Sequence, residues 1–323
     1  MLSINKLSVE FSVGYNTTNK QILKAVNQVS LAIQQGETIA VVGESGSGKS
    51  QLFNAVMGLL PKNAFASGEV KFLDQSLLEL NQNQLNQVRG KDIGMIFQDP
   101  MTALNPYLRI GKQLTEVLEV HQSSLSKSEC KARAIEMLEN VYIPKAEQRF
   151  NSYPHELSGG MRQRVMIAMA LLCQPKLIIA DEPTTALDVT TQTEIIRLLR
   201  QIHESEKTSI VLITHDLPLV AGLCDRIMVM YAGRIVESGT VDDIFNHAKH
   251  PYTQALLNAT PHNTKQGERM QAIGGQPPDS LHLPQGCSFN PRCDFAMNEC
   301  LVEQPEVNVI NSNHEYRCFR RDK

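Results

Sequence analysis

The sequence predicts an α/β protein with a mostly parallel core sheet, built around one phosphate-binding loop. Three observations carry this. Short apolar runs rich in β-branched residues alternate with amphipathic helical patterns, the rhythm of strand–helix–strand units. One such run, Thr38-Ile39-Ala40-Val41-Val42, leads straight into Gly43-Glu44-Ser45-Gly46-Ser47-Gly48-Lys49-Ser50. Leu52, Phe53, Ala55, Val56 and Leu59 then follow at helical spacing.

Strand, glycine-rich loop and helix is the context a P-loop requires. Gly43, Gly46 and Gly48 let the backbone curl so that successive N–H groups form an anion cradle. The helix opening near Lys49 adds its positive dipole end. Lys49 would reach the outer phosphates, and the Ser50 hydroxyl would hold Mg²⁺. A glycine-rich turn that merely precedes a helix is the plain alternative; the filled positions and both flanks argue for a nucleoside triphosphate site.

The 323-residue length suggests about two domains. A hydrophobic fraction of 42% is ample for a packed core, and 20% charged residues is ordinary for a soluble protein. Net charge is −3, so there is no electrostatic case for nucleic acid as the main partner. Residues 1–10 lack the basic flank and apolar core of a signal peptide, and the longest clean apolar run, 165–173, is far short of a membrane span. A cytosolic protein is expected, in which the seven cysteines stay reduced and serve burial or metal binding.

Along the chain, Leu7, Val9 and Phe11 alternate with polar residues, as do Val29, Leu31 and Ile33, giving two half-buried strands of an N-terminal antiparallel β-subdomain. Ser67-Gly68 turns into a strand over 70–73, and residues 92–97 form a strand ending at Gln98. Between about 104 and 149 strand signal fades and helical faces appear: Leu114, Val117 and Leu118, then Ile135, Leu138 and Val141. This is a helical subdomain, about 101–164, inserted into the core. Strands over 177–180 and 209–213 follow, with a helix face Ile195, Ile196, Leu198, Leu199 and Ile202 between them. A hairpin turns at Ala232-Gly233. Beyond 249 proline and glycine become frequent and four cysteines cluster, marking a separate C-terminal piece, 250–323, with little regular structure.

Three stretches say which P-loop enzyme this is. The buried strand 177–180 runs into Asp181-Glu182, where one carboxylate can bind the Mg²⁺ shell and the next can polarise a water beside the γ-phosphate. Leu157-Ser158-Gly159-Gly160 opens an apolar helix, with Ser158 suited to the N-cap and two glycines leaving bare N–H groups. Alone it reads equally as an ordinary capped helix. His215 directly follows the strand 209–213.

Together these resemble the ATP-binding cassette family over residues 1 to about 245. The resemblance implies a cassette domain, 1–249, in which Leu157 to Gly160 faces the γ-phosphate of a partner subunit and two cassettes sandwich two ATPs. It implies that Glu182 and His215 are catalytic, that Gln98 senses Mg²⁺ and the attacking water, and that Asp188 contacts the other subunit. Ser50, Gln98 and Asp181 would hold Mg²⁺. Phe11 would stack on adenine, with Tyr15 as the fallback because the polar stretch 14–21 blurs the register.

Tyr153-Pro154-His155-Glu156, the run 97–107 and His250-Pro251-Tyr252 look like the oligopeptide/dipeptide/nickel importer subfamily, the run 97–107 being similar to oligopeptide permease ATP-binding subunits. That implies an ATPase driving oligopeptide import at the cytoplasmic face of the bacterial inner membrane. Its partners would be a second homologous ATPase, two permeases whose coupling helices dock on residues 101–151, and an extracytoplasmic peptide-binding protein. A dipeptide, nickel or other small-solute importer is the alternative. A DNA-repair or chromosome ATPase would need a long coiled-coil insertion, and no sustained heptads occur. A redox-sensing module with a vestigial ATPase is opposed by the intact Glu182 and His215.

Cys287, Cys293, Cys300 and Cys318, spaced C-x5-C-x6-C-x17-C, sit in a glycine- and proline-rich segment suited to a metal-stapled fold. Paired C-x2-C zinc spacing is absent. The subfamily resemblance implies a [4Fe–4S] cluster on these four residues, with zinc or free thiols as the alternatives. Cys173 and Cys224 read as core, and Cys130 has no assigned role. Replacing Cys293 by Ser is expected to lose the cluster and loosen residues beyond about Gly286 while leaving the ATP site intact.

Overall fold

The computed structural model describes residues 1–14, 21–185, 187–259 and 273–320. In chain order the elements are β1 (Leu2–Val13), β2 (Gln21–Ile33), β3 (Thr38–Val42), α1 (Lys49–Val56), β4 (Ala64–Phe72), β5 (Gln75–Ser76), α2 (Gln82–Val88), β6 (Ile93–Ile96) and α3 (Pro100–Ala103). There follow α4 (Ile110–His121), α5 (Lys127–Asn140), α6 (Ala146–Phe150), α7 (Gly159–Leu171), β7 (Leu177–Asp181), α8 (Val189–Glu206), β8 (Ser209–Thr214) and α9 (Leu217–Ala221). The chain ends with β9 (Arg226–Tyr231), β10 (Arg234–Thr240), α10 (Val241–His247), α11 (Pro251–Asn258), α12 (Asn298–Val302), β11 (Asn308–Val309) and β12 (Glu315–Tyr316). Two units form: Met1–Gln34 with Ile39–Glu79 and Thr214–Lys323, and Gln35–Thr38 with Leu80–Ile213.

The first unit holds an antiparallel sheet in the order β2-β1-β4-β5. Leu2 and Ile4, then Leu7 and Val9, are buried in two alternating runs, and the irregularity between Ile4 and Leu7, with Lys6 at φ 48, shifts the alternation by one residue. Ser67-Gly68 is not the turn the sequence predicts. β4 runs through it, with an irregular register between Asn5 and Ser8 on β1. Gly68 at φ 113 is what permits the bulge: a Cβ there would meet the Lys6 carbonyl oxygen at 2.6 Å. The same unit orders five further strands β11-β12-β10-β9-β3. All five residues of β3 are buried and it pairs in parallel with β9, the pattern of a strand covered on both faces. Ala232 and Gly233, at φ 45 and 79, make the left-handed two-residue turn that joins β9 to β10.

The tail is more ordered than its composition predicts. β12 pairs with β10, and β11 with β12, adding two short strands at that edge. A buried polar knot fixes them: His314 Nε2 lies 2.9 Å from Glu237 Oε1, and the Glu237 carboxylate also accepts the Lys249 and His250 N–H groups at 2.7 and 3.0 Å. Burial pushes His250 down to about 3, so its imidazole is neutral and its Nδ1 accepts the Tyr252 N–H at the start of α11.

In the second unit β6, β7 and β8 pair in parallel, and every residue of β7 and β8 is buried. The helical subdomain is α3 to α6 with the start of α7. α4 packs against α5, and Ile110, Leu114 and Leu118 of the one and Ala134 and Leu138 of the other are fully buried. α5 starts at a capping box in which Ser126 and Glu129 bond each other's N–H groups. Cys130, Cys173 and Cys224 are buried, the last two as expected of core residues.

Candidate nucleotide site

In the first unit the loop between β3 and α1 takes the conformation its glycines allow. Gly43, Gly46 and Gly48 lie at φ 153, 79 and 98. A Cβ on Gly43 would fall 2.1 Å from the Met230 carbonyl oxygen, and one on Gly48 2.1 Å from that of Ala25, so neither position admits a side chain. Ser47 and Lys49 are buried. The Lys49 ammonium folds back over the loop and donates to the carbonyl oxygens of Gly43 and Glu44 at 2.7 and 2.9 Å. Ser50 is the second residue of α1, half-buried, and Ser45 is exposed. Phe11 stands half-buried in β1 opposite Leu23 and Ala64; Tyr15 lies outside the described residues. His215, exposed, directly follows β8.

The loop is also held from the C-terminal side. The Glu44 N–H donates to the Tyr252 hydroxyl at 2.8 Å, and the Glu44 carboxylate receives both terminal nitrogens of Arg292. Burial pushes the Tyr252 phenol well above its usual range, so the hydroxyl stays neutral. Residues of the C-terminal piece therefore touch the loop directly. Nothing in the spacing of Arg292 marks this, beyond its place next to Cys293.

In the second unit β7 delivers Asp181 buried at its last position, and Glu182 follows in the left-handed region at φ 45. A non-glycine residue there carries about 1 kcal/mol of strain. Gln98 Nε2 donates to Glu182 Oε2 at 3.1 Å. Leu157 is buried, and the Ser158 hydroxyl caps α7 by accepting the Met161 N–H at 3.3 Å. A Cβ on Gly159 would meet nothing within 4 Å, whereas one on Gly160 would press on Thr191. Gln163, buried in α7, donates to the Pro183 carbonyl oxygen at 2.7 Å and so ties this helix to the Asp181-Glu182 turn. Only its place in the glycine-opened helix hinted at that role. Asp188 caps α8; the Thr191 N–H and hydroxyl hold its carboxyl below the usual range.

The four tail cysteines come together. Cys287, Cys293, Cys300 and Cys318 line one small cavity with His250, Phe289 and Pro305. The Met297 N–H donates to the Cys300 sulfur at 3.5 Å. Burial, with the other three cysteines nearby, pushes the Cys287 thiol up to about 11. Among the described residues, no three His, Cys, Asp or Glu side chains converge closely enough to hold one metal ion.

A P-loop between a buried parallel strand and its helix, with an Asp-Glu pair ending another such strand, defines a nucleotide-hydrolysing cassette ATPase. Residues 26–185 match the ABC transporter family, and residues 236–300 match the oligopeptide/dipeptide transporter C-terminal region. The chain is 48% identical to the oligopeptide transport ATP-binding protein OppD of Haemophilus influenzae, over 99% of this chain and 97% of that one. It is 50% identical to OppD of Escherichia coli, over 99% and 93%. It is also 45% identical to the dipeptide transport ATP-binding protein DppD of Escherichia coli, over 98% and 96%. Among solved structures, the dimeric post-hydrolysis state of the ATP-binding cassette MJ0796 bound to ADP and Pi aligns with TM-score 0.66 and 30% identity, covering 75% of this chain and 99% of that one. The chain belongs to the ABC transporter ATPases, in the group that carries the oligopeptide/dipeptide transporter C-terminal region. Among the described residues no helix is long and apolar enough to cross a membrane.

Proposed function

We propose that this chain is the ATP-hydrolysing subunit of an oligopeptide importer, working at the cytoplasmic face of the inner membrane. The observation that carries the substrate class is near full-length identity of 48–50% to oligopeptide transport ATP-binding proteins. The dipeptide reading rests on 45% identity to a dipeptide relative. In this proposal Gly43 to Ser50 cradle the triphosphate and Phe11 stacks on adenine. Ser50, Gln98 and Asp181 hold Mg²⁺, Glu182 polarises the attacking water, and His215 holds the γ-phosphate. Leu157 to Gly160 and Asp188 serve the ATP bound by a second, homologous ATPase. Closure on ATP and reopening after hydrolysis would drive alternating access in two permeases, to which a binding protein delivers peptide. Met101 and Tyr107, 61% and 87% exposed, support residues 101–151 as the permease dock.

In this proposal the four cysteines hold a [4Fe–4S] cluster. All four line one cavity, and the Cys300 sulfur accepts the Met297 N–H, the kind of bond that tunes such clusters. Bound there, a cluster would supply a staple for residues 287–318. Co-purification from membranes in mild detergent tests the whole reading. Two permeases and a second ATPase should accompany the tagged chain, with ATPase activity stimulated by a loaded peptide-binding protein. Recovery of the chain without membrane subunits, or stimulation only by a non-peptide solute, would overturn it.

A further inference from the structure

We propose that Arg292 is a positioning residue of the phosphate-binding loop: its guanidinium clamps the Glu44 carboxylate and offsets that carboxylate's charge, so ATP affinity depends on the C-terminal tail. This rests on the reading that Gly43 to Ser50 bind ATP.

The contact is a two-pronged one. Arg292 Nη1 lies 2.6 Å from Glu44 Oε2, and Nη2 lies 3.0 Å from Oε1, the fork-on-carboxylate geometry that fixes direction as well as charge. The Arg292 side chain is only 3% exposed and that of Glu44 26%, so water screens the pair weakly. The guanidinium is itself held: Nε donates to the Gly274 carbonyl oxygen at 2.8 Å, and Nη1 to the Tyr231 hydroxyl at 3.2 Å. It lies over the Tyr231 and Phe289 rings, 5.8 and 5.9 Å from their centroids. With Tyr252 accepting the Glu44 N–H, both the backbone and the side chain of Glu44 are anchored by residues 208 and 248 positions away.

The charge balance gives the clamp its purpose. The loop 43–50 carries one carboxylate, Glu44, and one ammonium, Lys49, so by itself it is formally neutral. A triphosphate arriving there meets a carboxylate at the second position, a repulsion that falls off slowly in a partly buried site. Arg292 makes the assembly net positive and keeps the carboxylate turned to itself. Arg292 also precedes Cys293 directly, so the state of the cysteine site reaches the loop through a single peptide unit.

The test is a double-mutant cycle on the full-length chain, reading the Kd for Mg-ATP by calorimetry, with thermal melting as a check on folding. Arg292→Met should weaken ATP binding about tenfold, as expected when one member of a buried ion pair is removed. In a Glu44→Gln background the same change should cost about twofold or less, because the charge Arg292 answers is gone. Equal losses in both backgrounds, or a loss under about twofold in the Glu44 background, would overturn the proposal. Should Arg292→Met not fold, Arg292→Lys is read in its place, with a loss of about threefold expected and none overturning the clamp. A wild-type chain that binds no ATP sinks the nucleotide reading, and the clamp with it.

Discussion

Gln98 and Thr185 share one oxygen of Glu182: the amide donates to Oε2 at 3.1 Å and the hydroxyl at 2.8 Å. Two neutral donors thus fix the direction of the carboxylate that the proposed mechanism uses to polarise water. Gln163, bonded to the Pro183 carbonyl oxygen, steadies the turn that carries it.

Glu182→Gln keeps this shape and removes the base. The expected outcome is a fall in kcat of at least about a hundredfold with ATP affinity within about threefold of wild type, since Lys49 and Ser50 are untouched. Steady-state ATPase assays on the reconstituted transporter, beside calorimetric ATP binding, check both halves. Turnover within about tenfold of wild type would remove Glu182 from the catalytic role.

Ser158→Arg separates a role toward a partner's nucleotide from a role within this chain. The substitution removes the cap on Met161, costing about 1 kcal/mol of helix stability, which a buried α7 tolerates. Transport should be abolished while the isolated chain binds ATP as before. Loss of ATP binding by the lone monomer would mean the motif acts in cis.

The Glu237–His314 contact should hold the tail's two strands to β10. His314→Ala leaves the buried Glu237 with the Lys249 and His250 N–H groups alone. A loss of about 1–3 kcal/mol is expected from denaturant melts, with faster amide exchange at Glu315 and Tyr316. Unchanged exchange there would show that β12 is held by other contacts.

The legible parts of this chain were those where local chemistry decides. β3, the start of α1, the Ser158 cap and the Ala232-Gly233 turn all follow from glycines, caps and apolar runs that act within a few residues. Leu59 shows the limit: its spacing fits the helix face, yet α1 ends at Val56 and Leu59 is 40% exposed. Gly68 misled because the same glycine freedom serves a turn or a bulge, and the partner strand β1 chooses. Arg292, Tyr252 and Gln163 were illegible as site residues for a different reason. Their roles are long-range hydrogen bonds, to Glu44 from 248 and 208 positions away and to Pro183 from 20, and no periodicity encodes such pairs.

The tail should hold iron, and losing it should be felt at the ATP site. Cys287, Cys293, Cys300 and Cys318 line one cavity in a segment whose own apolar core is small: Phe289, Cys300 and Tyr316 are its buried side chains of that kind. In the proposed reading a bound cluster would supply much of this segment's order. Protein purified without oxygen should be brown, with broad visible absorption and close to four irons per chain by metal analysis. Cys293→Ser should bleach it and loosen residues beyond about 286. Because Arg292 precedes Cys293 and grips Glu44, ATP binding should weaken in the same variant, in contrast to the expectation from sequence that Cys293→Ser leaves the ATP site intact. Zinc at about one equivalent, or no metal with four titratable tail thiols, would refute the cluster. Bleaching with unchanged ATP affinity would keep the cluster but show that it does not speak to the loop.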